Sequence, residues 1–475
     1  MVFSSLEFLF RFFPIFIIAY LVTKERYRLY VILLGSLVFY AYGEPLYILL
    51  MLASIFINHF ISRKIYLYRK AEKKHRVNKN PECKKLLALA VLYNFGMLFV
   101  FKYLGFFCSI INMVAGDNVL PIPKIELPLG ISFYTFQIMS YVIDVYRRKY
   151  VVKDNIISFA TYVCMFPQLI AGPIVNYSEV MKDMKDRRLK PKYIENGVTL
   201  FIIGMSYKVL LANKIASLWN DVQTIGAYGI NMPTAWLGSW GFSFQIYFDF
   251  WGYSLMAIGL GKIMGFTFPQ NFKEPYSAGS ATEFWRRWHI TLGRWFREYV
   301  YIPMGGNRKG PVMLVVNTFV VWFLTGLWHG ANWNFIIWGM MFFVILMIEK
   351  FFLLKKLEDN KILSRIYMLI LIPLSWTIFN ITNMKDLGLY LRRMFFIPLP
   401  GKTQTFNTMS KFGALLGRYW WMILICAFFC TPIPMKLIKA YKDTFVFKLI
   451  LLGLFWLCVY QMALGADNPF LYFRF

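Results

Sequence analysis

The 475-residue chain is 58% apolar and 20% aromatic, carries charge on only 16% of its residues, and has a mean hydropathy of +0.51. Soluble globular proteins run about 45–50% apolar and about 25% charged, so water is not the principal solvent of this chain. Its 52 Lys and Arg against 24 Asp and Glu leave a formal charge of +28; a nucleic-acid reader is excluded because no polar body carries the basic residues, which cluster instead between apolar runs, as positive-inside topology and contact with anionic lipid headgroups require.

Apolar segments fall at 8–22, 29–43, 46–61, 86–107, 128–146, 156–175, 196–218, 235–266, 311–328, 331–348, 366–381, 413–433 and 446–464. A membrane span needs about 20 residues, so the shortest of these predict half-spans or re-entrant pieces, and the 235–266 run predicts a break at Gly259 or Gly261. The first run has no basic leader and no small-residue cleavage signature, which predicts a retained first span. Strand alternation is absent wherever the runs are long enough to judge, which argues against a barrel. No solenoid period or low-complexity stretch is visible.

Ser62 to Lys85 carries ten Lys or Arg against Glu72 and Glu82 and is expected in the cytoplasm. Counting back places Lys24, Arg26 and Arg28 inside, and the Gly43-Glu44-Pro45 turn and the N-terminus outside. Lys436, Lys439 and Lys442 precede the last apolar run, Lys448 lies at its start and only Arg474 follows it, so the C-terminus is also expected outside. Two outside termini require an even number of crossings, which favours twelve over thirteen. The expectation is an all-α polytopic protein of the cell membrane, with residues 1–435 as its core and 436–475 as a final span carrying an extracytoplasmic tail.

Six cysteines, Cys83, Cys108, Cys164, Cys426, Cys430 and Cys458, show no metal-ligand spacing; neither a disulfide nor a metal site is expected. Asp249 reads as the one acid deep in a span, either a structural carboxylate or a proton-coupling group.

Glu283 to Ile302 reads EFWRRWHITLGRWFREYVYI. At helical spacing Phe284, Trp288, Leu292, Trp295, Phe296 and Tyr299 share one face and Arg287, Thr291, Arg294 and Glu298 the other, which predicts one continuous amphipathic helix at the membrane interface. Trp and Arg suit that depth, with rings and stems in apolar matter and polar tips in water. A plain anchor and a substrate-facing helix fit the pattern equally; on the second reading Trp285, Arg286, Arg287 and Trp288 are substrate contacts. His289 falls at the boundary of the faces, from which it can point into the protein.

Pro311 to Ile348 runs 38 residues without Asp, Glu, Lys or Arg, and Thr325-Gly326-Leu327-Trp328-His329-Gly330-Ala331-Asn332-Trp333 lies within it. An ionisable group in such a run is a functional candidate. An imidazole there is expected uncharged and ready to accept a proton, as a general base must be; a buried structural His329 is the alternative. The glycines permit close backbone approach, and Trp328 and Trp333 are expected to wall a narrow passage. Asn332 is a candidate oxyanion donor, set against a helix-end hydrogen bond. Arg308 and Lys309, with Arg286 and Arg287, suit a phosphate-bearing donor or lipid headgroups equally. His59 at a span end and His75 in the basic loop read as passive. No nucleophile elbow, P-loop or dinucleotide fingerprint is present, so a self-contained hydrolase or nucleotide-driven pump has no support. A transporter of an ion or a lipid-linked sugar would want paired midplane charges and two related halves; no halves are visible.

In chain order, LPLGISFYTFQ from Leu127, FPQLIAGP from Phe166, FWRRWHI from Phe284, Tyr301-Ile302-Pro303 to Asn307-Arg308-Lys309-Gly310, and LWHGANW from Leu327 resemble the membrane-bound O-acyltransferase superfamily, most of all its alginate O-acetyltransferase branch. The resemblance implies about twelve transmembrane helices, with re-entrant and interfacial helices around a central funnel or tunnel. It implies His329 as the catalytic histidine at the narrow point and His289 as the second motif histidine. It also implies an acyl-thioester donor, acetyl-CoA or an acyl carrier protein, arriving from the cytoplasm with no bound cofactor. Delivery is then to an extracytoplasmic SGNH-type acetyltransferase partner that modifies a cell-envelope polysaccharide.

The related teichoic-acid D-alanylation proteins are shorter and work with a separate one-span peptide ending in a Phe-x-Tyr type motif. Here Asn468-Pro469-Phe470-Leu471-Tyr472-Phe473-Arg474-Phe475 follows the last apolar run and resembles that peptide fused on. The resemblance points to Tyr472 as an acyl acceptor helped by His329, against an interfacial aromatic anchor. Trp251 and Leu255, in Phe248-Asp249-Phe250-Trp251-Gly252-Tyr253-Ser254-Leu255, depart from the acetyltransferase branch, and Leu255 is closer to the D-alanylation branch. Acetyl is favoured, with D-alanyl kept open.

Overall fold

The computed structural model describes residues 1–75, 80–116, 119–149, 155–170, 172–185, 187, 189–397, 408–465 and 471. Every regular element among them is a helix. By length and composition, eight of the helices described can cross a membrane: those within Tyr47–Glu72, Pro81–Ala115, Pro191–Ile225, Pro311–His329, Trp333–Asp359, Lys361–Asn380, Met409–Phe429 and Phe445–Ala463. The chain is a multi-pass, all-α membrane protein. Several expected spans differ in form, for physical reasons. Ile131–Tyr146 buries Ser132, Thr135, Gln137, Ser140 and Asp144, and Met232–Ile263 buries Ser239, Ser243, Asp249 and Ser254. Helices enclosed by protein can carry such groups where lipid-facing helices cannot.

Two compact units divide the chain: Met1–Phe201, Met256–Pro269 and Arg297–Tyr299 form the first, and Ile202–Leu255, Gln270–Phe296 and Val300–Phe475 the second. In the first, the long helix Tyr47–His75 packs with Pro81–Leu98 and Ile131–Tyr146. Asn58 and Asn94 join the first pair by reciprocal amide bonds of 3.1 and 2.7 Å, the kind of interhelical polar contact that holds apolar helices in register. Gly130, at φ +73°, turns the chain into Ile131–Tyr146; a Cβ there would lie 2.6 Å from the Leu169 carbonyl oxygen. The first two sequence motifs therefore touch at a glycine that admits no side chain.

The expected 156–175 span is instead the helix Ile156–Cys164 followed by the short Phe166–Leu169. Met165 turns extended, and Pro167 suits only the first turn of a new helix. Met232–Ile263 runs without the break expected at Gly259 or Gly261. Gly259 lies against the backbone of Gly197, and Gly261 against the Phe268 ring, so both serve close packing.

Asp249 is not the only buried acid. Glu72, Asp144 and Glu349 are buried as well. Glu72 pairs with Arg69 and Arg148, while Asp144 takes the Lys149 ammonium at 3.0 Å and the Tyr299 hydroxyl at 2.9 Å.

The second unit holds a helical hairpin, Pro311–His329 and Trp333–Ile348, whose second helix packs on Lys361–Asn380. Gly326 brings the hairpin arms together: a Cβ on it would meet the Phe335 carbonyl oxygen at 2.5 Å. Phe445–Ala463 lies along the π-helical Tyr207–Ala212, with Cys458 Sγ on Ser206 Oγ at 3.7 Å.

Candidate active site

His329 is the last residue of the first hairpin helix. Gly330 follows in extended conformation, with the Phe335 ring packed where a side chain would stand. The second helix restarts after Asn332, whose Oδ1 accepts the Trp333 N–H at 2.6 Å. Asn332 is thus an N-cap.

Three rings meet His329 edge-on: Trp328 at 5.0 Å, Trp338 at 5.1 Å and Phe379 at 5.1 Å between centroids. The buried Asn334 sets Phe379 in place by donating to the carbonyls of Ile378 and Phe379, at 3.3 and 2.6 Å. Trp338 continues through Trp376 to Trp288. His329 keeps 4% of its surface exposed beside these three rings. Trp333 is 39% exposed, whereas Trp338, five residues further along the same helix, is fully buried against His329.

The segment around His289 is not the continuous interfacial helix that its periodicity predicts. It forms Ala281–Arg287, a break, Ile290–Phe296 and the π-helical Arg297–Tyr301. The predicted apolar face, Phe284, Trp288, Leu292, Trp295, Phe296 and Tyr299, is buried in protein. Two buried polar side chains explain the break. Glu349 accepts the N–H groups of Ala281 and Thr282 at 2.6 and 2.8 Å, together with the hydroxyls of Thr282 and Tyr367, fixing the start of the first helix as a carboxylate does at orphan N–H groups. Asn271 fixes the start of the second: its Oδ1 takes the Thr291 N–H at 3.3 Å and the Thr291 hydroxyl at 2.9 Å, while its carbonyl takes the Ile290 N–H. Between them, Trp288 is extended and His289 has φ +45°.

His289 is 1% exposed. Its Nδ1 lies 3.1 Å from Asn271 Oδ1. Because a backbone N–H can only donate, Thr291 assigns that oxygen as the acceptor, and His289 Nδ1 carries the proton. Nε2 is therefore the lone-pair nitrogen, buried and without a hydrogen-bond partner among the described residues. Burial pushes this imidazole down to about 3, so it is neutral at physiological pH. Phe250 and Trp328 face the ring at 4.8 and 5.8 Å. Trp328 thereby touches both imidazoles.

The other sequence candidates sort clearly. Trp285 packs against Trp322, Trp338 and Phe342, and Trp288 lies buried behind the site. Arg286 is exposed; Arg287 pairs with Glu283 and reaches the Glu274 carbonyl. Arg308 and Lys309 are exposed. His59 packs near Phe159, both in the first unit. The His75 side chain and Tyr472 lie outside what is described. Leu471 is described, and is 5% exposed. Sequence reasoning missed Asn271, Asn334, Trp338, Glu349 and Phe379; Glu349 alone carried a signal, as an acid ending the long uncharged run.

A profile of the membrane-bound O-acyltransferase family matches residues 145–379, a stretch that contains both histidines. A probable alginate O-acetylase, AlgI, of Pseudomonas aeruginosa is 36% identical over 90% of this chain and 81% of its own length. A peptidoglycan O-acetyltransferase of Helicobacter pylori is 33% identical over 81% and 78%. A teichoic acid D-alanyltransferase of Streptococcus thermophilus is 28% identical over 62% and 69%.

Proposed function

Since the chain belongs to the membrane-bound O-acyltransferase family, we propose that it carries an acetyl group from a cytoplasmic thioester, acetyl-CoA or an acyl carrier protein, toward O-acetylation of an extracytoplasmic envelope polysaccharide. The enzyme is an O-acyltransferase; the donor, the direction and the acceptor are our reading. Relatives named for O-acetyl transfer match more of the chain at higher identity than those named for D-alanyl transfer, which favours acetyl. The reading keeps both termini outside.

The observation that carries the mechanism is the pair of buried imidazoles sharing Trp328. In our reading His329 takes the proton of an attacking hydroxyl as its oxygen adds to the thioester carbonyl. The C–S bond then breaks, and the leaving thiolate takes that proton back as a thiol. General bases supply roughly 10²–10⁴-fold in such steps. The rings of Trp328, Trp338 and Phe379 keep water from the activated carbonyl. His289 offers Nε2 as a fixed acceptor that orients the hydroxyl.

We assign the first attacking hydroxyl to Tyr472: the acyl group passes from sulfur to the phenolic oxygen, then to an SGNH-type partner, and Tyr472 regains its proton. The support is position, since Leu471, its neighbour, is buried in the same unit as both histidines. The deciding experiment compares acetyl and D-alanyl content of the envelope in cells bearing wild-type, His329→Ala or Tyr472→Phe protein at equal membrane abundance. Both variants are expected to lose acetyl alone. Loss of D-alanine would reassign the group carried. Unchanged acetyl in His329→Ala would overturn the mechanism, and unchanged acetyl in Tyr472→Phe the relay.

A further inference from the structure

Lys208 and Asp249 form a buried ion pair, Nζ to Oδ1 at 2.5 Å, with side chains 3% and 2% exposed. Lys208 lies in the π-helical Tyr207–Ala212 and Asp249 within Met232–Ile263. Gly252, one turn beyond Asp249, lets the two helices meet: a Cβ on it would stand 2.6 Å from the Gly204 carbonyl oxygen and 3.0 Å from the Lys208 nitrogen. Burying two charges in an apolar bundle is expensive, and replacing such a pair by apolar side chains is often neutral or stabilising. The pair therefore asks for a reason beyond stability.

The other oxygen supplies one. Asp249 Oδ2 accepts the backbone N–H of Leu471 at 2.9 Å, more than two hundred residues away in sequence. The preceding helix, Phe445–Ala463, already lies along the π-helical turn that carries Lys208. On the next residue, Phe250, the ring faces His289 at 4.8 Å.

We propose that the Lys208–Asp249 pair is a clasp that seats the C-terminal tail, through the Leu471 N–H, beside the aromatic wall of the His289 chamber. Lys208 anchors one carboxylate oxygen and orients the other toward the tail. A backbone donor makes the contact independent of the side chain at 471. Both are positioning residues in this proposal. Their consequence for transfer rests on the reading of Tyr472 as the acyl acceptor, whereas the seating itself does not.

The test uses the full chain in lipid nanodiscs, with Leu471→Cys introduced and maleimide labelling at position 471 read by peptide mass spectrometry. In a Lys208→Met, Asp249→Leu background, which leaves no buried charge unpaired, labelling is expected at least tenfold faster than in the parent. Rates within twofold of each other would overturn the clasp. A second variant keeps Lys208 and Asp249 in place: Leu471→Pro removes the N–H donated to Asp249 along with the leucine side chain, and is expected to lower kcat for transfer at least tenfold with the donor KM unchanged, while Leu471→Ala, which loses the side chain but keeps the N–H, holds the parent rate. Full activity in Leu471→Pro would overturn positioning. Faster labelling in the paired variant together with an inactive parent would sink the transferase reading and leave the clasp standing.

Discussion

The Nδ1 of His289 meets the Oδ1 of Asn271 at 3.1 Å, and that bond decides which nitrogen of the ring carries the proton. Thr291 makes the assignment one-way by donating to the same oxygen from its N–H and its hydroxyl. Asn271 also receives the Ile290 N–H on its carbonyl, so one residue fixes the backbone, the ring orientation and the tautomer.

Asn271→Leu should therefore injure both stability and catalysis. It leaves the Thr291 N–H and the His289 Nδ1 without their acceptor, each at about 1–3 kcal/mol, and frees the imidazole to adopt the other tautomer. Partners that fix a histidine's tautomer at metal sites cost about 10–100-fold when removed, and the same fixing is lost here. We expect a fall in transfer rate of about that size with protein still recovered from the membrane, measured as acyl transfer in nanodiscs. A rate equal to the parent would remove His289 from the mechanism.

Acid should destabilise the protein through the same ring. His289 lies outside the eight spans, and burial lowers its ionisation to about 3, against about 6.5 in an unfolded chain. The unfolded state thus binds a proton between these values that the folded state refuses. The contribution is fully present above about pH 6.5 and is lost as pH falls toward 3, with about 2 kcal/mol gone at pH 5. Melting temperature measured at pH 7.5 and pH 5 should drop more for the parent than for His289→Gln, which has no proton to gain. Parallel drops would show that His289 titrates freely in the folded protein.

The sequence was informative wherever composition or spacing carried the signal. Long uncharged runs marked the hairpin of Pro311–His329 and Trp333–Ile348, and rare histidines inside apolar surroundings marked His289 and His329. Periodicity grouped the apolar residues from Phe284 to Tyr299 on one face, but it placed that face at the membrane interface, whereas the side chains are buried within the protein. It could not report the break, which depends on a positive φ at His289 and on Asn271 and Glu349, partners 18 and 68 residues distant from His289 and Ala281. Likewise Trp328 and Trp333 look equivalent in the motif, yet the extended turn at Gly330 sends them to different places. Contacts between distant segments, such as Leu471 with Asp249, leave no periodic trace.

Packing at the hairpin gives a sharp contrast between two glycines. A Cβ at Gly326 would sit 2.5 Å from the Phe335 carbonyl oxygen, a backbone atom that cannot turn aside, whereas Gly293 has nothing within 4 Å. Gly326→Ala should push the arms apart, at about 1–3 kcal/mol as overpacking usually costs, and displace His329 from Trp338. Gly293→Ala, in the helix Ile290–Phe296, should be neutral or stabilising by up to about 1 kcal/mol. Thermal unfolding in detergent reads both, and equal melting temperatures for the two variants would contradict the close approach.

Trp338 and Trp333 sit on one helix at different depths. Trp338 touches the rings of His329, Phe379 and Trp376 and is fully buried, while Trp333 stands 39% exposed at the start of the same helix. If the aromatic wall keeps water from the thioester, Trp338→Ala should open a cavity beside His329, cost about 3–5 kcal/mol as large-to-small core changes do, and raise hydrolysis of the donor relative to transfer. Trp338→Phe should restore most of the ratio by refilling the wall. Trp333→Ala should leave that ratio unchanged. The ratio of free acid to transferred acyl group, followed with a labelled donor, distinguishes loss of the wall from loss of the fold, since misfolding lowers both products together while a breached wall shifts one into the other.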